Sequence, residues 1–293
     1  REYYGNGKKF NVKITYVKQD EPLGISHAIN LCRSFIGDQK FLVFLGDNII
    51  QKNIYNFANE FLNSNDDASI LLCKVDNPSR FGIADMHEGK ITKIMEKPKD
   101  PPTNFAVTGI YFLTPKIFDI IDNLKPSWRN ELEITDALQI LLENNNNISY
   151  HIITDYWKDT GTPEDIINAN RAILQNKESY FYGEKSDSVS LTGIVLIGKG
   201  TKIFGNSEIM GPVIVGENCI LDNVCIGPNS SIGNNSQITN SNIQNSIVMS
   251  DCIINTSIKI RNSIISSNSK IEFKNNSQDE KIFLLGEGTK ILL

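Results

Sequence analysis

Beyond about Tyr180, the chain carries an apolar residue at nearly every sixth position, with some steps of five residues later on. A sustained six-residue period is typical of a parallel β-helix, in which three hexapeptides make one turn. An α-helix is excluded because the period is neither 3.5 nor 3.6 residues and because Asn, Ser and Gly are dense. We expect Asn and Ser at the corners, where left-handed backbone geometry is tolerated. The periodic residues are Ile197, Ile203, Ile209, Val215, Ile220, Ile226, Ile232, Ile238, Ile243, Val248, Ile253, Ile258 and Ile264, and glycines follow four of them at Gly198, Gly216, Gly227 and Gly233.

Residues 41–48, FLVFLGDN, are the most informative stretch before the repeat. A short apolar run that ends in Gly-Asp predicts a buried parallel strand whose carboxyl end opens at a surface. Ligands of open α/β sheets bind beyond such strand ends. Asp47 would then place a carboxylate where phosphates and a divalent cation meet. The alternative is an aspartate that only caps the turn.

The segments around residues 41–48 alternate between strand and helix patterns. A strand over residues 11–17, a helix over 25–36 and the strand at 41–48 would form a right-handed βαβ unit. The glycine within residues 105–113 indicates close approach by a ligand or another backbone. Thr162 is a candidate N-cap for the helix that follows it. Further helices are predicted over residues 54–62, 131–143 and 163–174, strands over 68–75, 105–113 and 148–154, and a hairpin over 81–86 and 90–95.

Composition narrows the class of protein. The net charge is −5 and basic residues do not cluster, so a nucleic-acid partner is not predicted. No apolar run approaches the ~18 residues of a membrane helix. The five cysteines form no Cys-x-x-Cys pair, which favours reduced thiols over a disulfide framework or a zinc site. These features together predict a cytoplasmic protein.

Six segments occur in the order found in one enzyme family: QDEPLGISHAI, FLGDN, IMEKPK, VTGIYFL, RNELEITDA and YWKDTGTPED. The chain resembles the sugar nucleotidyltransferases, and among them the long form of the glucose-1-phosphate thymidylyltransferases. The resemblance covers nearly the whole chain. It implies an α/β Rossmann-like nucleotidyltransferase domain over residues 1–179, followed by a left-handed parallel β-helix of hexapeptide repeats over residues 186–293.

The family reaction is attack by a sugar-1-phosphate oxygen on the α-phosphorus of a nucleoside triphosphate, with release of pyrophosphate. The resemblance implies dTTP and glucose-1-phosphate as substrates and dTDP-glucose as product, for activated-sugar and polysaccharide biosynthesis. The protein must align two polyanions and neutralise their charge, which calls for Mg²⁺ and for cations on the sugar phosphate. A homo-oligomer assembled through the β-helix is also expected.

The resemblance assigns the charged residues as follows. Asp47 and Asp159 match the two carboxylates that bind Mg²⁺. Lys97 and Arg129 match the cations on the sugar phosphate, and the planar fork of arginine suits that role. Glu96 matches the carboxylate that holds sugar hydroxyls. Turn capping remains the alternative for both aspartates, and a solvated surface pair remains the alternative for Glu96 and Lys97.

The resemblance also assigns the uncharged pocket residues. Gln19 and Gly24 match positions that recognise the nucleotide base. His27 lies off the apolar stripe of its helix and is not predicted to bind a ligand, and Trp157 is predicted to pack. The residues that match the sugar pocket are Phe81, Gly82, Val107, Gly109 and Tyr111, with core packing an equal alternative for Phe81, Val107 and Tyr111.

Two departures from the family pattern stand out. The family has Gly where this chain has Asn130, which affects the placement of Arg129. The family also opens with a Gly-rich loop containing Gly-x-Gly-Thr-Arg and a following lysine, which holds the triphosphate. This sequence starts at Arg1 and has no such loop. We therefore expect an N-terminally truncated enzyme that is inactive as it stands.

Three other functions fit parts of the sequence. A hexapeptide acyltransferase needs a histidine base on its β-helix, whereas His27, His87 and His151 all precede residue 180. A uridylyl- or guanylyltransferase acting on another sugar-1-phosphate stays open, because base and sugar choice depend on a few contacts. A non-catalytic regulatory homologue is disfavoured because the charged residues are retained.

Overall fold

The computed structural model describes residues 1–273 and 281–284. The chain divides into two compact units, Arg1–Asp159 and Thr160–Leu293. The domain boundary predicted between residues 179 and 186 stays a prediction. No helix in the described part of the chain is long and apolar enough to cross a membrane.

The first unit is an α/β domain built on a mixed sheet. Its strands are β1 (Phe41–Phe44), β2 (Asn48–Ile50), β3 (Ala68–Lys74), β4 (Ile83–His87), β5 (Lys90–Met95), β6 (Phe105–Leu113), β7 (Ile148–Ile153) and β8 (Trp157–Asp159). Its helices are α1 (Ile25–Leu31), α2 (Arg33–Ile36), α3 (Tyr55–Asn63), α4 (Lys116–Ile121) and α5 (Ile134–Glu143). The strand order is β5-β4-β6-β3-β7, with β1 paired to β6, while β2 and β8 form a separate ladder.

The central strand β6 is buried on both faces of the sheet. Tyr111 and Leu113 pack into a core with α1, α4 and α5. Ile110 and Phe112 point to the opposite face and pack against α3. Side chains of a strand alternate between faces, so one apolar strand serves both cores.

The βαβ unit predicted at the start of the chain is wrong. Residues 11–17 pair with no strand among the described residues, and Val12 and Val17 are exposed. β-Branched residues favour an extended backbone, but a strand forms only where a partner satisfies its backbone groups. The β1 strand is antiparallel to β6 rather than parallel to a neighbour. It is also only partly buried, since Leu42 and Phe44 are 40% and 42% exposed.

The helix predicted over residues 25–36 is divided at Cys32. This residue has φ −92° and ψ 0°, and its N–H donates to the Ile29 carbonyl three residues back. Such an i−3 bond tightens the turn and shifts the helix direction. Arg33 then donates to the Phe118 carbonyl and to Asp122, both at 2.7 Å.

The other elements predicted in the first unit are confirmed with shifts of a few residues at their ends, whereas β2, β8 and α4 were not predicted. The hairpin of β4 and β5 forms as predicted. The largest shift is at α5, which begins at Ile134 rather than at Glu131 because Glu133 is extended, with ψ 138°. That shift leaves residues 127–133 as a loop.

The second unit contains a parallel β-solenoid of about five turns, consistent with the predicted left-handed β-helix. Val195 pairs with Val213, an offset of 18 residues, so three hexapeptides make one turn there. Ser231 pairs with Ile247, an offset of 16 residues, where the predicted steps of five residues shorten the turn. One sheet contains β9 (Tyr180–Phe181), β12 (Val195–Ile197), β15 (Val213–Val215), β18 (Ser230–Ile232), β21 (Ile247–Val248) and β24 (Ile264–Ile265). The second contains β10 (Glu184–Lys185), β13 (Lys202–Phe204), β16 (Ile220–Asp222), β19 (Gln237–Thr239), β22 (Ile253–Asn255) and β25 (Lys270–Phe273), and β26 (Lys281–Leu284) pairs antiparallel with β25 at its edge. The third contains β11 (Ser190–Thr192), β14 (Glu208–Met210), β17 (Cys225–Ile226), β20 (Asn242–Gln244) and β23 (Lys259–Arg261).

The interior of the solenoid differs from the predicted apolar series at four positions. Leu221 is fully buried, whereas the predicted Ile220 is 37% exposed. Successive residues of a strand face opposite sides, so an error of one residue reverses the assignment. The same shift moves the interior position from Ile253 to Ile254. The interior residues are Ile197, Ile203, Ile209, Val215, Leu221, Ile226, Ile232, Ile238, Ile243, Val248, Ile254, Ile260, Ile265 and Ile271, with the predicted Ile258 and Ile264 only partly buried.

The predicted use of asparagine at the corners is confirmed. The solenoid residues with a left-handed backbone, φ between 47° and 63°, are Asn218, Asn223, Asn229, Asn235, Asn240, Asn245, Asp251, Asn262 and Asn268. Asn and Asp tolerate this region better than other non-glycine residues. The corner asparagines therefore allow the chain to change direction between sheets.

Helix α6 (Pro163–Gln175) precedes the solenoid strands. Thr162 caps it as predicted, since its Oγ1 accepts from the Asp165 N–H at 3.2 Å. Asn170 fixes α6 on the solenoid: it donates to the Asn229 carbonyl at 3.0 Å and accepts from the Ser231 hydroxyl.

Candidate active site

A cavity of about 230 Å³ opens in the first unit. It is lined by residues that follow β1 and β5, by the middle of β6, by β8 and by the start of α5. The predicted functional residues on its wall are Asp47, Phe81, Gly82, Glu96, Lys97, Val107, Gly109, Tyr111, Arg129 and Asp159. The fold thus gathers residues that are up to 112 positions apart in sequence.

Asp47 and Asp159 reach this cavity from neighbouring segments. Asp47 lies in the turn after β1, and Asp159 is the last residue of β8. The segments are joined because Asn48, the first residue of β2, is the register partner of Asp159 in the β2–β8 ladder. This pairing brings Asp47 and Asp159 to the wall of the same cavity.

The donor chemistry of this pair fits Mg²⁺. Magnesium prefers oxygen ligands and commonly takes one or two carboxylates together with substrate phosphates. Among the described residues, no group of three or more His, Cys, Asp or Glu could hold a metal on its own. A magnesium ion at Asp47 and Asp159 would therefore need water or substrate oxygens to complete its coordination.

Asn48 is a site residue that the sequence analysis missed. It is 8% exposed, and its Nδ2 donates to Asp47 Oδ1 at 2.9 Å. Its Oδ1 accepts from the Gly109 N–H at 3.0 Å and from the Trp157 indole N–H at 2.8 Å. One buried amide thus connects β1, β6 and β8. The Asn that follows Asp47 in FLGDN was the available signal.

The glycines explain two parts of the wall. A Cβ on Gly109 would lie 2.5 Å from Asn48 Nδ2, so only glycine admits this amide. The predicted partner at this glycine was a ligand or another backbone, whereas the structure places the Asn48 side chain there. A Cβ on Gly82 would lie 2.6 Å from the Thr135 methyl group and 3.4 Å from Glu96 Oε2. Both glycines therefore let side chains of the site approach the backbone.

Lys97 and Arg129 supply positive charge near Glu96. Lys97 Nζ lies 3.7 Å and Arg129 Nη1 3.4 Å from Glu96 Oε1. Lys97 has φ 39°, an uncommon value for a non-glycine residue. Backbone strain of this kind is characteristic of functional sites. The Lys97 N–H donates to the Phe81 carbonyl at 3.1 Å, which fixes this turn.

The loop before α5 holds Arg129 among carboxylates. Arg129 Nη2 lies 2.9 Å from Glu131, and Nη1 lies 3.5 Å from Glu133. Ser127 closes the loop, because its hydroxyl donates to Glu133 Oε1 at 2.8 Å. Asn130 has φ 60°, a region that asparagine tolerates, so it can stand where the family has glycine.

Glu96 is a partly desolvated carboxylate, with a side chain 15% exposed. Burial raises the pKa of Glu96 most, and the nearby Glu133 raises it further. The Thr135 hydroxyl, which donates to Glu96 Oε2 at 2.9 Å, opposes this pKa shift, as do Lys97 and Arg129.

The apolar wall consists of Phe81, Val107, Tyr111 and Trp157. Phe81 meets Trp157 edge-on, with ring centroids 5.7 Å apart. Trp157 was predicted to pack, and it does, but it also lines the cavity and donates to Asn48. Burial, with the charges of Glu96 and Asp47, raises the pKa of Tyr111, so its hydroxyl stays protonated.

Gln19 and Gly24 are absent from the lining of this cavity. Gly24 has φ 100° and packs against the Leu132 backbone, where a Cβ would lie 2.6 Å from both Leu132 N and O. Gln19 donates to the Gly24 carbonyl. Ile25, the residue after Gly24, does line the cavity, so this pair lies beside it.

Comparison with known proteins identifies the family. Residues 1–176 match the profile of the family described as nucleotidyl transferase. Low-salt glycan biosynthesis nucleotidyltransferase Agl11 from Haloferax volcanii is 44% identical over 190 residues, which are 64% of this chain and 53% of that protein. Glucose-1-phosphate thymidylyltransferase from Streptomyces antibioticus is 39% identical over 214 residues, 72% of this chain and 60% of that protein.

A solved structure agrees with these matches. It is a Bacillus anthracis protein described as a candidate glucose-1-phosphate thymidylyltransferase, in complex with sucrose. It has a TM-score of 0.56 and 40% identity, and the match covers 61% of this chain and 72% of that one. The chain belongs to the nucleotidyl transferase family, and it spans 53% to 60% of the length of the two curated relatives above.

Proposed function

We propose that this protein transfers a nucleotidyl group from a nucleoside triphosphate to a sugar-1-phosphate, with dTTP and glucose-1-phosphate as its substrates. The observation that carries the proposal is the meeting of two carboxylates, Asp47 and Asp159, with two cations, Lys97 and Arg129, on one cavity wall. Nucleotidyl transfer needs this combination because it joins two polyanions.

The proposed step forms one bond and breaks one. An oxygen of the sugar phosphate attacks the α-phosphorus of dTTP, and the bond from that phosphorus to the oxygen bridging to the β-phosphate breaks. The products are dTDP-glucose and pyrophosphate. Mg²⁺ held by Asp47 and Asp159 supplies charge neutralisation when bound.

The residues of the chain would position the two substrates. Lys97 and Arg129 bind the sugar phosphate, and the ion pairs of Arg129 keep its guanidinium oriented toward the cavity. Glu96 accepts hydrogen bonds from sugar hydroxyls, for which an ionised carboxylate is the better acceptor. Phe81, Val107 and Tyr111 form the apolar face against the sugar, with Gly82 and Gly109 leaving room for it.

The nucleotide choice rests on Gln19 and Gly24 beside the cavity. Thymidylyltransferase relatives support dTTP, and uracil differs from thymine by one methyl group, which a pocket discriminates weakly. A homo-oligomeric, cytoplasmic enzyme completes the proposal.

The test is pyrophosphate release by the full-length gene product. The protein is incubated with Mg²⁺, glucose-1-phosphate and, separately, dTTP, UTP, GTP, CTP or ATP. We expect release with dTTP, and the rate with UTP measures the base preference. Release with only another triphosphate would change the substrate but keep the reaction class. No release with any triphosphate or sugar phosphate would favour a non-catalytic homologue.

A further inference from the structure

The Gln19 side chain is held by two partners on the first turn of α1. Its Nε2 lies 3.1 Å from the Gly24 carbonyl oxygen and 2.9 Å from His27 Nδ1. A carbonyl oxygen only accepts hydrogen bonds, so the atom that faces Gly24 must be the amide nitrogen. The Gly24 contact thus fixes which way the Gln19 amide points.

The state of His27 follows from the same geometry. One Nε2 hydrogen of Gln19 goes to Gly24, and the other points to His27 Nδ1. Nδ1 must then accept, so the ring is neutral and carries its proton on Nε2. With both amide hydrogens used, Oε1 is the group that Gln19 offers to a ligand.

We infer that His27 is a positioning residue that holds the Gln19 amide with its oxygen toward the nucleotide base. This inference rests on the proposed function. A hydrogen-bond acceptor pairs with thymine and uracil, whose ring N3 carries a hydrogen. It opposes cytosine, whose N3 is itself an acceptor. His27 would therefore help to select an imide pyrimidine without touching the base.

The support for Gln19 is rigid. The Gly24 carbonyl also accepts from the Ala28 N–H at 3.3 Å, so the Gln19 contact is tied to the helix. The Leu132 backbone stabilises this turn. Its carbonyl accepts from the Ser26 N–H at 3.1 Å, and its N–H donates to the Leu23 carbonyl at 2.8 Å. Ile25 of the same turn lines the cavity. Gln19 and His27 are both half-buried, which leaves Gln19 accessible to a ligand.

The first test measures base discrimination. Rates of pyrophosphate release with dTTP, UTP and CTP are compared for the full-length gene product and its His27→Ala variant. We expect the ratio of kcat/KM for dTTP to that for CTP to fall about tenfold, the effect of one neutral hydrogen bond. The change should lie in the KM for dTTP, with the KM for glucose-1-phosphate unchanged.

Two variants separate positioning from general damage. His27→Gln can accept the same hydrogen bond through its amide oxygen and should restore the dTTP preference. His87→Ala removes a histidine whose side chain is 79% exposed on the β4–β5 hairpin and should leave the ratio unchanged. An unchanged ratio in His27→Ala, with an active wild type, overturns the inference alone. If the wild type releases no pyrophosphate with any triphosphate, the proposed function is overturned, and this inference is overturned with it.

The second test needs no turnover. ¹⁵N NMR of the histidine rings should show His27 as the Nε2–H tautomer, with Nδ1 shifted by accepting a hydrogen bond. The Gln19→Ala variant should remove that shift. A proton on Nδ1, or no change in Gln19→Ala, would overturn the inference.

Discussion

Asn130 shows how one residue can replace glycine in the loop that carries Arg129. Its φ of 60° lies in the left-handed region, and its neighbour Arg129 depends on the loop that it shapes. Asn reaches this region at little energetic penalty, whereas a residue with an ordinary Cβ is disfavoured by about 1–2 kcal/mol. The departure from the family pattern therefore preserves the backbone.

Substitution of Asn130 tests this account. We expect Asn130→Gly to keep the free energy of unfolding close to that of the wild type, and Asn130→Ala to lower it by about 1 kcal/mol. The measurement is urea-induced unfolding of both variants. Equal stability of the Ala and Gly variants would contradict a left-handed requirement at this position.

Asp47 is expected to be essential for turnover. Asp47→Asn keeps the side-chain shape and can still accept from Asn48, but it removes a charge that a metal ion would require. Turnover of the full-length gene product should fall by about 100-fold or more. Asp38→Asn, at an exposed position outside the cavity, is the control. Wild-type rates in Asp47→Asn would remove this residue from the proposed metal site.

Glu96 gives a pH dependence with a defined sign. Because its pKa is raised in the folded state, the folded protein holds this proton more tightly than the unfolded chain does. The wild type should thus lose stability, relative to Glu96→Gln, as pH rises from the ordinary carboxyl pKa of about 4.5 to the raised value. Unfolding free energies of both proteins are measured between pH 4 and 8. The value for Glu96→Gln minus that for the wild type should increase with pH and then level off. A decrease in this difference over the same range would contradict a raised pKa at Glu96.

At the scale of the elements, the solenoid offers a matched pair of adjacent side chains. Leu221 is fully buried between turns, and Ile220 lies on the outer face of the same strand. Leu221→Ala should lower the free energy of unfolding by about 2–5 kcal/mol, the range for a cavity in a packed core. Ile220→Ala should lower it by about 1 kcal/mol or less, because much of that side chain is already in water. Thermal and urea unfolding of both variants measure these losses. Equal losses in Leu221→Ala and Ile220→Ala would contradict the assignment of Leu221 to the interior.

The elements also show the limit of local patterns. Strand β1 and residues 11–17 both have strand-like sequences, yet β1 pairs with β6, whereas residues 11–17 pair with no strand among the described residues. Partners and strand direction are set by contacts far along the chain. The residue pattern within a segment indicates only that the segment tends to be extended.

At the scale of the whole molecule, the solenoid is proposed as an assembly element. Its described residues include no histidine, so they lack the base that an acyltransferase needs. Light scattering of the full-length gene product should give a mass that is a multiple of the monomer. A variant that lacks residues 186–293 should no longer associate. A monomeric mass at working concentrations would contradict the proposal.

The sequence by itself determined the solenoid, its asparagine corners and ten of the residues on the cavity wall. These follow from periods and motifs that are local, because a six-residue repeat needs only its neighbouring turns and a motif keeps its residues in order. The tertiary structure decided the direction of β1, the one-residue shift at Leu221, the role of Asn48 and the amide orientation of Gln19. Each of these depends on contacts whose geometry exists only after the chain has packed, whether the partners are distant, as Asn48 is from Gly109 and Trp157, or near in sequence, as Gln19 is to His27.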